Sequence, residues 1–187
     1  MSVLVAIAAA VVVAAVVVMH SYNRFVVQRQ LIWNAWANVD TELQRRYELI
    51  PNLVETVRGY AAHERTTLTD VVTARLQAMT SERDAAHRAQ SENTLTRGLQ
   101  RLLAVSEAYP ELLASAHFRE LQDELVTTEN RIQAARRIYN GNVRDYNRRL
   151  QAVPSIFVGK VFGFTPGIYI ELEPLVRDAG APVVNMA

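Results

Sequence analysis

Residues 121–146 read LQDELVTTENRIQAARRIYNGNVRDY. Within them Leu121, Leu125, Thr128, Ile132, Ala135, Tyr139, Asn142 and Tyr146 recur in an unbroken four-three alternation, which lays one stripe along a helix. A sustained seven-residue repeat of this kind requires left-handed, coiled-coil-like packing against other helices. Extended through its polar flanks, from about Ser115 to Val153, the helix reaches about 58 Å at the usual rise per residue. Its partners must be long as well. The fold class this predicts is all-α: an elongated antiparallel helical bundle.

Composition supports the same class. Half of the 187 residues are hydrophobic, yet only 7 are Gly and 6 Pro, too little punctuation for the turns of an all-β fold. With 20 Lys+Arg against 19 Asp+Glu the formal charge is +1, which argues against nucleic acid as a partner held by bulk charge. The chain has no cysteine, so thiolate metal sites, disulfides and cysteine nucleophiles are excluded.

The hydrophobic residues are concentrated at one end. Residues 1–19, MSVLVAIAAAVVVAAVVVM, carry no charge and one polar side chain, Ser2. As a helix they reach about 28 Å, close to the roughly 30 Å hydrocarbon thickness of a bilayer. A buried core helix of this length would carry polar interruptions. A cleaved signal peptide would need a basic leader and a small-residue cleavage site, whereas this run ends in Val18, Met19, His20, Ser21 and Tyr22. The reading is therefore an uncleaved transmembrane helix over 1–19, with the lipid bilayer as partner. Arg24 and Arg29 follow it before the first acid, Asp40, so the positive-inside rule puts the body in the cytoplasm.

Domain boundaries follow: a membrane helix at 1–19, a helical bundle at 20–153, and an apolar, Gly- and Pro-containing segment and tail at 154–187. In the first part of the bundle Ile32, Trp36, Val39, Leu43 and Ile50 form a stripe, with Arg46 in phase among them and Glu42 placed for an i,i+4 pair with Arg46. No loop signal separates the membrane run from this helix, so the two form one rod. Pro51 interrupts, but the stripe resumes in phase at Val54, Val57, Ala61, Leu68 and Val71, which favours a kink over a reversal. Gly59 and the capping-box spacing of Thr67 and Asp70 permit a turn in between, and the sequence leaves the first reversal open.

The stretch 80–93, TSERDAAHRAQSEN, has no large hydrophobe and is predicted as an exposed interhelix loop or frayed end. A helix then runs from about Glu92 to Tyr109 and stops at Pro110. Gly98 weakens it by about 1 kcal/mol unless close packing uses the missing side chain. Beyond Pro154 the stretch IFVGKVFGFTPGIYI is apolar without a period. It either folds back over the bundle or presents Phe157, Phe162 and Phe164 to another subunit or to the membrane interface. From Arg177 on, loose order is expected.

No reactive constellation emerges. His20, His63, His87 and His117 match no metal-ligand spacing, and the sequence lacks a nucleophile elbow, a phosphate loop and a calcium loop. The expectation is a non-enzymatic protein with no catalytic residue, cofactor or metal. Two clusters are densely polar, residues 42–48 (ELQRRYE) and 139–149 (YNGNVRDYNRR). Asn142, on the predicted buried seam, reads first as a register-fixing polar residue and second as part of a ligand site. The candidate interaction residues are Arg45, Arg46, Pro51, Asn142, Phe157, Phe162 and Phe164.

Residues 22–64, 108–147 and 153–164 closely resemble the LemA family of bacterial membrane proteins. The resemblance runs from Tyr22 to about Glu173 and is carried by RRYELIPNLV at 45–54, TENRI at 128–132, and Gly163-Phe164, in that order. It departs after Phe164, where the family tends to a basic residue and this chain has Thr165-Pro166-Gly167. The resemblance implies a single-pass protein with a short extracytoplasmic N-terminus and a four-helix bundle. It brings no catalytic residue or cofactor, and the molecular function of the family is generally described as unknown. The functional expectation is a membrane-anchored scaffold or assembly protein of the bacterial envelope that forms a homo-oligomer. The alternative is an accessory module that binds or regulates other membrane proteins, an enzyme or a transporter.

Overall fold

The computed structural model of the protein describes residues 1–81 and 85–175, with the side chains of residues 85 and 86 outside that description. Its elements are α1 (Ser2–Tyr60), α2 (Arg65–Thr80), α3 (Ala85–Ser106), α4 (Pro110–Ala114), α5 (Ala116–Gln151) and α6 (Ser155–Val161). No strand occurs among the described residues, and residues 164–174 run without regular structure. The all-α expectation holds. The loose order expected from Arg177 on lies outside the described residues.

The apolar run and the first bundle helix are one element, as the absence of a loop signal implied. Pro51 lies inside α1, exposed, and the helix continues to Tyr60. The first reversal falls at residues 61–64, where Ala61 N–H still bonds to Val57 O and Glu64 N–H to Ala61 O. Thr67 and Asp70 lie within α2, so their spacing is not a helix start. Val54, Val57, Ala61, Leu68 and Val71 are all buried, as the in-phase stripe required.

The described residues form two compact units, to each of which α1 and α5 contribute: Met1–Val39 with Ala135–Tyr169, and Asp40–Ala134 with the residues from Ile170 on. In the second unit, four helical stretches share a core that includes Leu43, Leu53 and Val57 of α1, Leu68 and Val71 of α2, Leu95, Leu99 and Leu102 of α3, and Phe118, Leu125 and Ile132 of α5. Helices α2 and α3 are antiparallel: a side chain added at Gly98 would touch Val71 Cγ2 at 3.4 Å, and Arg101 faces Asp70 at 3.8 Å. The first is an ordinary contact distance, so the packing does not require the glycine. Pro110 ends the chain's passage out of α3 and opens α4 as its first residue, where its missing N–H costs nothing. Ser115 Oγ accepts the Phe118 N–H at 3.4 Å at the start of α5.

In the first unit the long helices are α1 and α5, antiparallel. Trp36 meets Tyr139 edge-on at 5.7 Å, Asn142 Nδ2 donates to Leu31 O at 3.1 Å, and Arg149 Nε donates to Gln28 Oε1 at 2.8 Å. Two helices cannot enclose a core, and α6 with residues 162–169 supplies the third side. Phe25, Tyr146 and Val158 form its buried centre, with Ile32, Leu150 and Phe164 packed around them.

The structure corrects two expectations about helices. Most of the stretch predicted as an exposed loop is the first part of α3, which begins at Ala85, and Glu92 within it is buried. Asn142 is not the buried seam residue: Val143 takes that place, with Asn142 half-covered beside it. Tyr139 and Tyr146 on either side keep their predicted places and are buried, so the seam steps by four and then three across this turn instead of by three and then four.

Candidate functional site

Two polar constellations stand out. The first is sealed in the second unit. Arg46, 1% exposed, sits on the apolar stripe of α1. Its Nη1 donates to Glu129 Oε2 at 3.1 Å and to Thr96 Oγ1 at 3.3 Å, while Nη2 pairs with Glu92 Oε2. Tyr47, the next residue, donates its hydroxyl to the other Glu92 oxygen, and Gln133 Nε2 donates to Glu129 Oε1 at 2.9 Å. Arg46 Nε is buried without a partner. Two carboxylates thus share one guanidinium, and neutral donors take up the remaining acceptor capacity.

Burial pushes the Tyr47 phenol well above its ordinary value, and the Glu92 carboxylate adds to the effect. The expected Glu42–Arg46 pair is not formed: Glu42 pairs with Arg45 at 3.4 Å, and Arg46 turns inward. Arg46 is therefore a core residue rather than part of an interaction surface. The cluster ties α1 to α3 through Glu92 and Thr96 and to α5 through Glu129. Asp40 and Arg88 form a further pair beside it, and Arg75 Nε donates to Tyr47 O at 2.7 Å.

The second constellation, in the first unit, explains the Asn- and Tyr-rich stretch of α5. Tyr139 Oη donates to Ile168 O at 3.0 Å, Tyr146 Oη to Thr165 O at 3.0 Å, and Asn147 Nδ2 to Gly167 O at 2.9 Å. Asn147 Oδ1 accepts the Gly167 N–H at 2.8 Å. These side chains hold the extended segment after Gly163, whose φ of 69° is the left-handed turn that sends the chain back. Burial raises the Tyr139 and Tyr146 phenols. Asp145 pairs with Arg144 at 3.6 Å.

The remaining candidates are scattered. Arg45 is exposed and lines a surface groove with Arg119, Glu120, Asp123 and Glu124 of α5. Pro51 is exposed on α1. Phe164 is half-buried, stacked on Phe25 at 4.8 Å beneath the Arg29 guanidinium. Phe162 meets Tyr22 at 5.0 Å and is exposed at its outer face, and Phe157 is exposed. Sequence reasoning missed Tyr47, Glu92 and Glu129. The signal for them was Arg46 itself, a guanidinium in phase with an apolar stripe, which requires buried acceptors.

All of residues 1–20 are exposed, and α1 is long and apolar enough to cross a membrane. These features define a helical-bundle protein with a candidate membrane helix near its N-terminus. The model of the LemA family matches residues 35–185, and the chain belongs to the LemA family. Magnetosome protein MamQ 2 of Paramagnetospirillum magneticum is 23% identical over 178 residues, which cover 82% of this chain and 65% of that protein. Magnetosome protein MamQ of Magnetospirillum gryphiswaldense is 22% identical over 199 residues, 84% of this chain and 73% of the relative. The chain thus spans just under two thirds of the length of the first relative.

Proposed function

We propose that the protein is a single-pass, membrane-anchored scaffold of the bacterial envelope that works by assembly with itself and not by catalysis. The observation that carries this reading is α1: its residues 2–20 are all exposed, while its later turns build the core. So large an apolar surface without protein cover asks for a lipid or protein partner. Arg24 and Arg29 beyond the run support a cytoplasmic bundle. The relatives' names tie them to the magnetosome, and carried over to this chain that supports a part in a built cellular assembly.

The test is the mass of the full chain in mild detergent. A mass well above the monomer is the expected result; a monomer at every protein-to-detergent ratio rejects self-assembly. A reporter active only outside the cytoplasm, fused after Ala187, is expected to be silent, and its activity would reverse the orientation.

The surface groove favours a second reading, an accessory module for another membrane protein. It offers about 810 Å³ lined by both charge signs around Arg45, a surface suited to a polar partner segment. Crosslinking in native membranes separates the readings: one predominant foreign partner supports the accessory role, and self-crosslinks support the scaffold.

A further inference from the structure

Helix α6 has two faces. Ser155, Val158 and Gly159 are buried, with Val158 beside Phe25 and Tyr146. Phe157, Lys160 and Val161, at spacings of three and one, turn the other way. Phe157 is 65% exposed, Val161 80% and the adjoining Phe162 51%. Val153, just before the helix, is exposed too.

The level of this face along α1 is fixed by contacts. Phe162 lies against Tyr22, and Phe164 against both Tyr22 and Phe25. A Cβ added at Gly159 would stand 3.7 Å from Phe25 Cζ, so α6 rests on that ring. Tyr22 and Phe25 follow Met19 by three and six residues, about 4.5 and 9 Å along the helix axis. A bilayer's polar headgroup layer is roughly 5–8 Å thick on each side of the hydrocarbon. If residues 1–19 fill the hydrocarbon, Tyr22 stands within that layer and Phe25 at its outer, aqueous edge.

We propose that α6 and the following turn form a second membrane contact, with Phe157, Val161 and Phe162 reaching into the headgroup layer. The occupant is the lipid surface. Lys160, the one lysine of the chain, lies between the inserted side chains, and Arg24 and Arg29 are nearby in α1. Together they favour anionic headgroups. Aromatic side chains and short apolar faces flanked by basic residues are suited to this depth. The contact gives the first unit two attachments, a spanning helix and a surface foot. The inference rests on the membrane-anchor reading above.

Because the chain contains no cysteine, single nitroxide labels can be placed in the full-length protein without background. Phe157→Cys, Val161→Cys, Val11→Cys and Glu107→Cys, each reconstituted in vesicles of phosphatidylcholine and phosphatidylglycerol, are compared for collision with oxygen and with a water-soluble nickel chelate. Labels at 157 and 161 are expected to show an oxygen-to-nickel ratio several-fold above that at 107 and below that at 11. A ratio equal to that at 107, with the label at 11 in lipid, overturns the inference and leaves the anchor standing. Low access to both reagents, with spin-spin broadening at 157, assigns the face to a second copy and also overturns it. A label at 11 that meets the nickel reagent as readily as the one at 107 removes the anchor, and the inference with it.

Discussion

Arg46 occupies an apolar stripe with two carboxylates around it, so each substitution there has a direction. Arg46→Ala leaves Glu92 and Glu129 buried without their shared counter-charge. The expected cost is about 3–5 kcal/mol, read as a lowered urea midpoint of the helical signal in detergent; a change under about 1 kcal/mol would contradict the cluster's role. Arg46→Lys is expected to recover little, because one ammonium cannot replace the fork reaching Glu129 and Thr96 on one side and Glu92 on the other. Tyr47 adds a pH dependence. Its phenol is held neutral by burial and by Glu92, above the ordinary 10.0, whereas the unfolded chain ionises near that value. Its contribution is therefore whole below about pH 10 and is lost as pH rises through the folded value. The Tm of the wild-type protein should fall as pH rises above 10, and Tyr47→Phe should flatten part of that slope while Tyr139 and Tyr146 retain the rest. The need for acceptors around Arg46 was legible in the sequence. Their identity was not, because Glu42 is the nearest acid along α1, and Glu92 sits among residues that look solvated.

The elements divide by how much of their burial is apolar. Val54 to Val71 could be read because large hydrophobes recur at helical spacing across Pro51. The first part of α3 could not be read: residues 85–94 offer only Ala and polar side chains, and the inward Glu92 is satisfied from α1. Helix α6 was invisible for the opposite reason, since apolar residues on both faces erase its period. Its seat depends on Gly159, where an added Cβ would stand 2.9 Å from Leu150 Cδ2. Leucine at this position has no room against Leu150 and Phe25. Gly159→Leu should raise amide exchange across residues 155–162 and leave α2 and α3 protected; unchanged exchange at 155–162 would mean that α6 does not depend on that close approach.

At the scale of the whole molecule the decisive surface is the exposed apolar run of α1. Full-length protein should remain with membranes through a high-salt wash and leave with detergent. Val11→Arg with Val12→Arg, each costing about 2.5–3.5 kcal/mol at mid-bilayer, should shift it toward the soluble fraction. Continued sedimentation of that variant with the membranes, in properly folded form, would mean that something other than the run holds it there. The LemA membership was legible because its blocks are local strings. The clamp that secures the C-terminal segment was not, because it joins residues about twenty positions apart. Tyr139, Tyr146 and Asn147 grip carbonyl oxygens, and every residue type supplies a carbonyl. Thr165, Pro166 and Ile168 are thus free to be exchanged without loosening the hold, which gives this stretch wide latitude for mutational drift. Gly167 is the exception, since any larger residue there would press on Val143 at 3.3 Å, and a randomised library of 165–168 should return glycine at that one position.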